Sequence, residues 1–347
     1  MSDLSYLKID SHLNVLLSSA GRRGYLVEYF REAVKPNGKV VATNSAACTS
    51  AMLASDCSYV VPEAHNPEFI DSLLQICRHH SIGLLFSLHD WEAPFIATAA
   101  NRFQEVGVCL GVSSPEVLDV CLDKLATCDF CHQHGIATAM VFTSEADAIL
   151  ASNTGDCGFP MIVKARFGQG SLALFMVHSE DELKASCLLA RLQISRFADN
   201  GLSKKFESSI IIQEFIEGEE YGLDIVNDFQ GEFQACLVKK KLGMRAGETD
   251  SAISVIDPVL TEFGRKIGTV LRHVAMLDAD VIVRDGKPYL IEMNPRFGGH
   301  YPFSHMAGAN VPAAMVAMAQ GRPINPNWLA VQDAVKAQKT ISLQILQ

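Results

Sequence analysis

Residues 280–299 read DVIVRDGKPYLIEMNPRFGG, and this stretch decides the fold more than any other. Asp285-Gly286 separates two apolar segments and is a strong signal for a β-hairpin. The hairpin would place Asp280 on one strand, opposite the end of the next strand, where Glu292 and Asn294 lie. Because Glu292 and Asn294 are two residues apart, their side chains project from the same face. The stretch therefore predicts three oxygen-bearing side chains that converge at one end of a sheet.

These three side chains favour a metal site beside a bound phosphate. Carboxylate and amide oxygens are hard ligands, which suit Mg²⁺ held jointly with nucleotide phosphates. Arg296 follows directly, and an arginine there could neutralise a phosphoryl group as it is transferred. The alternative is a solvated hairpin whose acids face water. We favour the metal site because these residues occur together and are followed at once by Phe297-Gly298-Gly299.

The composition limits the class of protein. The chain has 347 residues, of which 48% are hydrophobic and 20% charged, and its formal net charge is −10. This length favours two or three domains around a cleft, and the apolar content suffices for a large buried interior. The acidic balance argues against nucleic acid as a partner, since sequence-independent binding needs a basic surface.

Two further features predict a soluble cytoplasmic protein without a membrane partner. Residues 1–10 are polar and charged, unlike a signal peptide, and no apolar run approaches the ~20 residues of a membrane span. The ten cysteines are scattered through apolar segments, as is typical of a reducing compartment. Cys128 and Cys131 form a C-x-x-C motif within a helical pattern, which favours core packing over a redox or metal role.

The first third of the chain alternates strand and helix patterns. Strands are predicted at 13–17, 39–43, 83–87 and 108–111, and helices at 25–34, 67–80 and 91–104. This alternation predicts a parallel sheet with helices on both faces. The turn at 18–24 contains glycines, but it lacks G-x-G-x-x-G and carries Arg22 and Arg23 where close backbone approach would need glycine. A nicotinamide site there is therefore disfavoured.

A long helix is predicted to begin after this first third. Ser114 is a candidate N-cap, Pro115 suits the first helical position, and the helix would run through Asp123-Lys124 to His134-Gly135. Beyond it we predict helices at 179–191 and about 259–275, and strands at 161–165, 172–177, 210–215, 221–227, 233–239, 279–284 and 288–293. A polar segment at 199–209 separates two blocks of these elements.

Glu292-Met-Asn294-Pro-Arg296-Phe-Gly-Gly resembles the metal-binding signature of ATP-grasp enzymes, in particular those similar to the large subunit of carbamoyl-phosphate synthetase. Other motifs of that superfamily follow in the expected order over nearly the whole chain. The resemblance implies a mixed α/β and α+β architecture, with a Rossmann-like pre-ATP-grasp domain at 1–112 before a two-subdomain ATP-grasp fold. The N-terminal subdomain would take 113–209 with a glycine-rich lid, and the C-terminal subdomain 210–347 with the metal site.

The resemblance also implies the nucleotide-binding residues. Asp123-Lys124 and the strand ending at Lys164 resemble segments whose lysines supply point charges to the α- and β-phosphates. Gly168-Gln-Gly-Ser resembles a lid whose backbone N–H groups wrap phosphate oxygens, although such a loop taken alone could be a plain turn. Ala173 stands where the family often has a further glycine, which leaves the geometry of the lid open. The implied set is Lys124, Lys164, Gly168, Gly170, Ser171, Gln213, Glu214, Phe215, Ile216 and Glu220.

The segment 213–221 resembles the adenine hinge of the family. Its main chain at Gln213 and Ile216 would bind adenine, and an acid would accept hydrogen bonds from the ribose hydroxyls. We choose Glu220 for this role because it directly precedes a Tyr-x-x-Asp strand, as in the family pattern. The neighbouring Glu219, like the acid at 214, could instead lie at the surface.

Basic segments outside the nucleotide site are candidates for binding the substrate. Arg22 and Arg23 follow the first strand, and ligands of open α/β sheets bind at such carboxyl ends. Arg245 lies in the segment 244–250, which resembles the loop over the phosphorylated intermediate in carbamoyl-phosphate synthetase. It could hold a carboxylate or an acyl phosphate, and a solvated basic turn is the alternative.

Two more groups are candidates for the same cleft. Gly298, Gly299 and His300 follow the metal signature and could line it, while a structural role is the alternative for His300. Asp90 and Glu92 follow a predicted strand and could bind an amine or simply begin a helix.

These resemblances imply an ATP-dependent ligase that uses Mg²⁺, with Mn²⁺ as an alternative. A carboxylate would attack the γ-phosphate to form an acyl phosphate, and an amine would then displace phosphate, with ADP as the other product. The implied partners are small-molecule carboxylate and amine substrates, and a homodimer is expected because many relatives are dimers. Two alternatives stay open: bicarbonate activation, as in carbamoyl-phosphate synthetase and biotin carboxylase, and a non-catalytic ATP-binding module.

Overall fold

We describe residues 12–168, 173–198 and 210–341 of a computed structural model of the chain. These residues form a five-stranded, a four-stranded and a six-stranded sheet, and the predicted mixed architecture is confirmed. Within these ranges, no helix is both long and apolar enough to span a membrane.

The N-terminal sheet is parallel and open. Its strands are β1 (Asn14–Ser18), β2 (Val40–Asn44), β3 (Cys57–Val60), β4 (Ile82–Ser87) and β5 (Cys109–Leu110). Its helices are α1 (Gly24–Val34), α2 (Ser50–Ala54), α3 (Phe69–His79), α4 (Ala93–Thr98) and α5 (Ala100–Glu105). The strand order is β3-β2-β1-β4-β5. Because β2 and β4 flank β1, the loops after β1 and β4 open a crevice at the carboxyl edge of the sheet.

This sheet differs from the sequence prediction in two places. The prediction lacked α2 and β3, because α2 is short and β3 is half-exposed at the edge of the sheet, so that neither has a clear hydrophobic pattern. The helix predicted at 91–104 is two helices, α4 and α5, which are separated at Ala99. The φ and ψ of Ala99, −94° and 13°, lie outside the helical region.

The second sheet is antiparallel and has four strands. The elements of this part of the chain are α6 (Pro115–Leu122), α7 (Lys124–Gln133), β6 (Val141–Phe142), α8 (Glu145–Thr154), β7 (Met161–Ala165), β8 (Phe175–Val177), α9 (Glu180–Ala198) and β9 (Ile210–Glu214). The strand order is β6-β9-β7-β8. The paired cysteine motif lies in α7, where Cys128 and Cys131 are both buried, in agreement with core packing.

The predicted long helix is interrupted at Asp123, which corrects the sequence analysis. Asp123 is extended, with φ −110° and ψ 108°, and its carboxylate accepts a hydrogen bond from Leu125 N at 3.0 Å, so that it begins α7. The same carboxylate accepts hydrogen bonds of 2.7 and 2.5 Å from Arg166, and Phe167 forms a β-bridge with Asp123. These contacts with the segment after β7 place Lys124 at the first position of α7.

The third sheet is antiparallel and has six strands. Its elements are β10 (Glu219–Asn227), β11 (Phe233–Arg245), β12 (Glu248–Val255), α10 (Pro258–Leu271), β13 (Met276–Arg284), β14 (Lys287–Asn294), α11 (Tyr301–Met306), α12 (Val311–Ala319) and β15 (Lys336–Gln338). The strand order is β14-β13-β10-β11-β12-β15. The predicted hairpin between β13 and β14 is confirmed, with Asp285 and Gly286 at φ 53° and 75° in its turn.

The segment 244–250, expected to be a loop, is a second hairpin. β11 continues to Arg245 and β12 begins at Glu248, with Ala246 and Gly247 at φ 49° and 78° between them. The prediction ended β11 too early because the basic run at 239–241 breaks the hydrophobic pattern that marks a strand. Arg245 is therefore held on a strand end rather than on a free loop.

The six-stranded sheet has an apolar face and a polar face, because side chains alternate along each strand. The apolar face is buried with Leu260 and Ile267 of α10, and it includes Tyr221, Leu223, Ile225, Leu277, Ala279 and Val281. The intervening residues face the other way, and they are Asp224 of β10, Asp278 and Asp280 of β13, and Lys239 and Lys241 of β11. The polar face of this sheet is where the predicted metal hairpin lies.

One apolar cluster joins the N-terminal sheet to the chain after β14. Phe297 packs edge-on against Phe30 of α1 and Phe86 of β4, with ring centroids 5.6 Å apart in each pair. Tyr301 lies in the same cluster, with its ring centroid 5.1 Å from that of Phe297. The segment that follows the metal hairpin is therefore held against the carboxyl edge of the N-terminal sheet. The domain limits at 112 and 209 stay predictions.

Candidate active site

The β13–β14 hairpin brings the predicted metal ligands together. Asp280 is the register partner of Glu292, and Asp278 is the register partner of Asn294. These four residues therefore form two adjacent rows on the polar face of the sheet. Glu292 and Asn294 are half-exposed, and within the described ranges their side chains make no hydrogen bond or ion pair. Two oxygen-bearing groups are thus open to a ligand, while their role in metal binding stays a prediction.

Asp280 forms an ion pair with a lysine of β11. Lys241 Nζ lies 2.6 Å from Asp280 Oδ1, and the Lys241 side chain is 6% exposed. Burial disfavours the charged lysine, but the charge and hydrogen bond of Asp280 outweigh it and raise the pKa of Lys241. Asp280 therefore has one carboxylate oxygen committed to a cation on β11.

Two buried lysines face this hairpin from the second sheet. Lys164 lies on β7 and Lys124 begins α7, where its Nζ donates a 2.8 Å hydrogen bond to Gly168 O. Burial lowers the pKa of Lys164 to about 8, with a further lowering by Lys124 and an opposing effect of Glu292. The charges of Lys124 and Glu292 thus both act on Lys164, while the roles of the two lysines at a nucleotide stay predictions.

The glycine-rich segment is described only in part. Gly170 and Ser171 lie outside the described residues, and Gly168 has φ 128°, a conformation that favours glycine. Ala173, where a further glycine was expected from the family, has φ 52°. Alanine therefore adopts here the backbone region that normally favours glycine, at some cost in conformational energy.

The predicted adenine hinge follows β9. Glu214 is engaged by the surrounding chain: its N–H donates to Met140 O at 2.9 Å, and its carboxylate accepts from Met140 N and Arg284, each at 3.2 Å. Phe215 and Ile216 leave the sheet, and their backbone groups make no hydrogen bond within the described ranges. The main chain of the buried Ile216 has no hydrogen-bond partner within the described ranges, whereas the Glu214 side chain is engaged.

The acids at the start of β10 differ in their partners. Glu219 forms an ion pair with Lys240, and Tyr221 Oη donates a 3.0 Å hydrogen bond to it. Glu220 is exposed, makes no hydrogen bond within the described ranges, and lies close enough to Lys241 to raise the pKa of that lysine. This leaves Glu220 available for the ribose role, which stays a prediction. Gln213 is buried between β6 and β7.

Arg296 is held by two carboxylates from different parts of the chain. Its Nη2 donates to Asp90 Oδ2 at 2.9 Å and its Nε lies 2.9 Å from Asp90 Oδ1, while Nη1 lies 3.5 Å from Asp278 Oδ2. Burial disfavours its charge, but Asp90 and Asp278 outweigh it and raise the pKa of Arg296. From its sequence position, Asp90 was expected either to bind an amine or to begin a helix. In the structure its carboxylate pairs with Arg296 instead.

Glu92 is turned away from the cleft. Its carboxylate accepts hydrogen bonds from Ser19 Oγ at 2.5 Å and Ser87 Oγ at 2.9 Å, and it is buried. Burial raises the pKa of Glu92, although these hydroxyls oppose the effect. Glu92 therefore joins the loops after β1 and β4 and is not open to an amine.

His300 lies in a buried cluster of charges. Its Nε2 contacts Asp278, its Nδ1 lies 3.2 Å from Asp224 Oδ1, and Lys239 Nζ lies 2.9 Å from the same Nδ1. Burial alone would lower the pKa of His300, but Asp278 and Asp224 together outweigh it and the pKa is raised. These contacts favour a structural role for His300 over a role in lining the cleft. Asp224, Asp278 and His300 could together hold a cation, but Lys239 and Arg296 already supply positive charge there.

Two glycines make room for this cluster. A Cβ on Gly298 would lie 2.2 Å from Asp278 Cγ, and one on Gly222 would lie 2.8 Å from His300 Nε2. Real side chains do not tolerate such distances, so that these positions require glycine for close packing. Gly298 of the signature is therefore explained by its contact with Asp278.

The other candidate residues lie at the rim. Arg22 is exposed and lies 3.3 Å from Glu248, which also approaches the position of a Cβ on Gly299 within 3.9 Å. Arg245 pairs with Asp250 at 2.7 Å. The Arg245 guanidinium is therefore engaged by the hairpin that carries it, and its role at a substrate stays a prediction.

Sequence reasoning missed four charged residues of the polar face. They are Asp224, Lys239, Lys241 and Asp278. A signal was present, because Lys239 and Lys241, like Asp278 and Asp280, are two residues apart and so share a face. That signal could not be used until 239–245 was known to be a strand.

Comparison with known proteins agrees with this geometry. Residues 206–347 match a family model described as ATP-grasp in the biosynthetic pathway with Ter operon, and residues 15–110 match one described as the PylC-like N-terminal domain. The carbamoyl phosphate synthase large chain of Halobacterium salinarum is 25% identical over 175 residues. That alignment covers 47% of this chain and 15% of the relative, so that the chain spans only a small part of that protein.

Solved structures share the fold at low sequence identity. A biotin carboxylase complex from Campylobacter jejuni has a TM-score of 0.71 and 16% identity, covering 92% of this chain and 73% of that one. The biotin carboxylase domain of the Hydrogenobacter thermophilus 2-oxoglutarate carboxylase, crystallised with MgADP and bicarbonate, has a TM-score of 0.69 and 16% identity over 92% and 71%. An N5-carboxyaminoimidazole ribonucleotide synthetase from Thermotoga maritima has a TM-score of 0.64 and 15% identity over 91% and 78%.

These matches cover the same two parts of the chain as the first and third sheets. The resemblance of the metal signature to ATP-grasp enzymes is confirmed, together with the fold that it implied. Residues 206–347 are thus similar to ATP-grasp domains, and residues 15–110 are similar to PylC-like N-terminal domains.

Proposed function

We propose that the chain is an ATP- and Mg²⁺-dependent ligase, which activates a carboxylate as an acyl phosphate and transfers the acyl group to an amine. One observation carries the proposal: Glu292, which makes no hydrogen bond or ion pair within the described ranges, is close enough to Lys164 and Arg296 for its charge to favour the charged form of both. A carboxylate without a partner near two cations suits the transfer of a phosphoryl group, because catalysis of that reaction is mostly positioning and charge stabilisation.

The residues of the hairpin fit a magnesium site. Asp280, Glu292 and Asn294 offer only hard oxygen ligands, and Glu292 and Asn294 have no competing partner within the described ranges. The Asp280 oxygen that Lys241 does not contact remains for a metal. Mg²⁺ bound there would shield the phosphate oxygens during transfer. Mn²⁺ prefers similar ligands and is the expected substitute.

The nucleotide would lie between the second and third sheets. Lys124 and Lys164 would contact its phosphates, and Glu220 would accept from the ribose. The backbone of Ile216 would bind adenine, since its N–H and C=O have no partner within the described ranges. Desolvated lysines suit this role, because a phosphate then replaces water as the partner of the charge.

The chain's own residues then position the reacting groups. The substrate carboxylate attacks the γ-phosphorus, and ADP leaves. The amine next attacks the acyl carbon, phosphate leaves, and the amine loses a proton. Arg296, held rigid by Asp90 and Asp278, would face the charge that develops on the transferred phosphoryl group.

Product analysis tests the proposal. Purified protein with MgATP and a panel of carboxylates and amines is expected to release ADP and phosphate, and Glu292→Gln is expected to abolish this release. Glu262→Gln is the matched control, because Glu262 pairs with Arg265 on the surface of α10. Release of AMP and pyrophosphate would contradict the acyl-phosphate route.

Bicarbonate activation is the second candidate. The Hydrogenobacter structure that shares this fold contains MgADP and bicarbonate, which favours a search for the same reaction here. Release of ADP that depends on bicarbonate alone, with no organic carboxylate present, would support it.

A non-catalytic ATP-binding module is the remaining alternative. Such a module would bind nucleotide without requiring Arg296 and the three oxygen ligands of the hairpin at the same time. The presence of all four groups therefore disfavours it. Binding that persists in Glu292→Gln, with no turnover of the wild type under any substrate combination, would favour the module. We also propose a homodimer, and light scattering of the purified chain tests it.

A further inference from the structure

An arginine without a carboxylate partner lies in the crevice of the N-terminal sheet. Arg23 directly precedes α1, and its Nη1 donates a 2.8 Å hydrogen bond to Leu88 O. Leu88 follows β4, and its own N–H donates to Ser18 O of β1 at 3.0 Å. The Arg23 guanidinium therefore lies between the loops after β1 and β4, where ligands of open α/β sheets bind.

The charge of Arg23 is not neutralised by the protein. Within the described ranges it forms no ion pair, and Leu88 O is the acceptor for only one of its nitrogens. A guanidinium presents a fork of N–H donors, and most of this fork has no partner. Burial, and then the like charge of Arg296, lower the pKa of Arg23. The local environment therefore disfavours this cation unless an anion joins it.

The acids around Arg23 are committed elsewhere. Asp90 pairs with Arg296, and Glu92 is buried among hydroxyl groups. Glu248, at the tip of the β11–β12 hairpin, lies 3.3 Å from both Arg22 and Lys339. Movement of any of these carboxylates towards Arg23 would leave another group without its partner. None of these three carboxylates pairs with Arg23, so that a bound anion can supply its counter-charge.

We propose that Arg23 anchors an oxyanion of the substrate that is not the reacting group. The inference rests on the proposed function, because it uses the same cleft and names the chemical class of one substrate. Arg23 donates to Leu88 O, and Asp90, two residues further along the same loop, pairs with Arg296, so that the anchored end and the reacting end of the molecule would lie along this loop. A guanidinium fork suits a planar carboxylate or a phosphate group. The substrate is therefore a small molecule with a second anionic group, such as a diacid or an amino acid.

Direct binding tests the anchor without turnover. Isothermal titration with succinate, glycine and inorganic phosphate compares the wild type, Arg23→Gln and Arg23→Lys. We expect at least one anion to bind the wild type, and about 10- to 100-fold weaker binding by Arg23→Gln. Arg23→Lys, which keeps a charge but loses the fork, is expected to lie between them. Arg265→Gln, a matched change on the surface of α10, should bind as the wild type.

Turnover then identifies the substrate that carries the anion. One arm compares succinate with its monoamide as the activated carboxylate, and the other compares glycine with glycinamide as the amine. In one of the two comparisons, the wild type should prefer the substrate that carries the additional anionic group. Arg23→Gln should lose that preference, while its KM for ATP is unchanged. No anion binding by the wild type, or equal binding by folded Arg23→Gln, would overturn the anchor. Anion binding without ADP release would leave the anchor in place and contradict the proposed ligase.

Discussion

Asp90 and Arg296 form a buried ion pair that joins the N-terminal sheet to the hairpin of the proposed metal site. Both side chains are 8% exposed, and Arg296 Nη2 lies 2.9 Å from Asp90 Oδ2. Asp278 contacts the same guanidinium from β13. The arginine proposed to face the transferred phosphoryl group is thus oriented from outside the ATP-grasp domain. In the proposed mechanism, the orientation of Arg296 would therefore depend on the packing of the N-terminal domain.

Asp90→Asn should lower both stability and turnover. Removal of one member of a buried ion pair leaves the other charge uncompensated, which costs roughly 3 kcal/mol of unfolding free energy. Arg296 would also lose its orientation, so that kcat should fall about 10- to 100-fold while KM for ATP changes little. Urea unfolding and steady-state kinetics measure the two effects. Asp71→Asn, which removes an exposed ion pair with Arg102, should cost less than about 1 kcal/mol and leave kcat unchanged. An unchanged kcat in folded Asp90→Asn would contradict this role.

Gly298→Ala should destabilise the protein although it adds only one methyl group. The new Cβ would lie 2.2 Å from Asp278 Cγ, so that Asp278 must move away from Arg296 and His300. We expect a loss of about 1–3 kcal/mol in the free energy of unfolding. Gly158→Ala is the control, because no atom lies within 4 Å of its Cβ position. Equal stabilities of the two variants in urea would show that the close approach is unimportant.

Lys164→Gln should weaken nucleotide binding. Lys164 is buried beside Lys124, and a phosphate would be the natural partner for the two charges. We expect the Kd for MgATP to rise by about tenfold or more, since a charge-assisted hydrogen bond is lost. Titration calorimetry measures this. Lys184→Gln, the control, removes an exposed ion pair with Glu180 and should bind MgATP as the wild type does. Similar Kd values for Lys164→Gln and Lys184→Gln would argue against a role of Lys164 in binding phosphate.

His273 should make the protein less stable in mild acid. It is buried, its Nε2 lies 3.1 Å from Ile225 O, and burial lowers its pKa from 6.5 to about 4. Below pH 6.5 the unfolded chain takes up a proton at His273 and the folded chain does not. The contribution of the neutral, buried His273 to the free energy of unfolding is therefore complete above pH 6.5. It is lost as the pH falls towards 4 and amounts to roughly 3 kcal/mol.

Urea unfolding at a series of pH values measures this loss. In His273→Gln the free energy of unfolding should decrease less between pH 6.5 and 4 than in the wild type. A part of the decrease should remain, because His305 also has a pKa of about 4. His65→Gln is the control because His65 is exposed. The same pH dependence in His273→Gln and the wild type would contradict the assignment to His273.

Much of the metal hairpin could be predicted because its information is local. Asp285-Gly286 selects a tight turn, and strict alternation then places Glu292 and Asn294 on one face. The break at Asp123 could not be predicted from local pattern. It depends on Arg166 and Phe167, which approach only after β7 has joined its sheet.

The sequence by itself determined the fold class, the hairpin and a set of candidate groups for a nucleotide and a metal. Turn residues, side-chain alternation and residue chemistry act over a few positions, so that they can be read directly from the chain. The tertiary structure alone decided which charges are partnered. Asp90 meets Arg296 across 206 positions of sequence, Asp224 meets His300, and Arg23 forms no ion pair with any described residue. Electrostatic pairing depends on distance and burial in space, and neither is encoded in any local stretch of the chain.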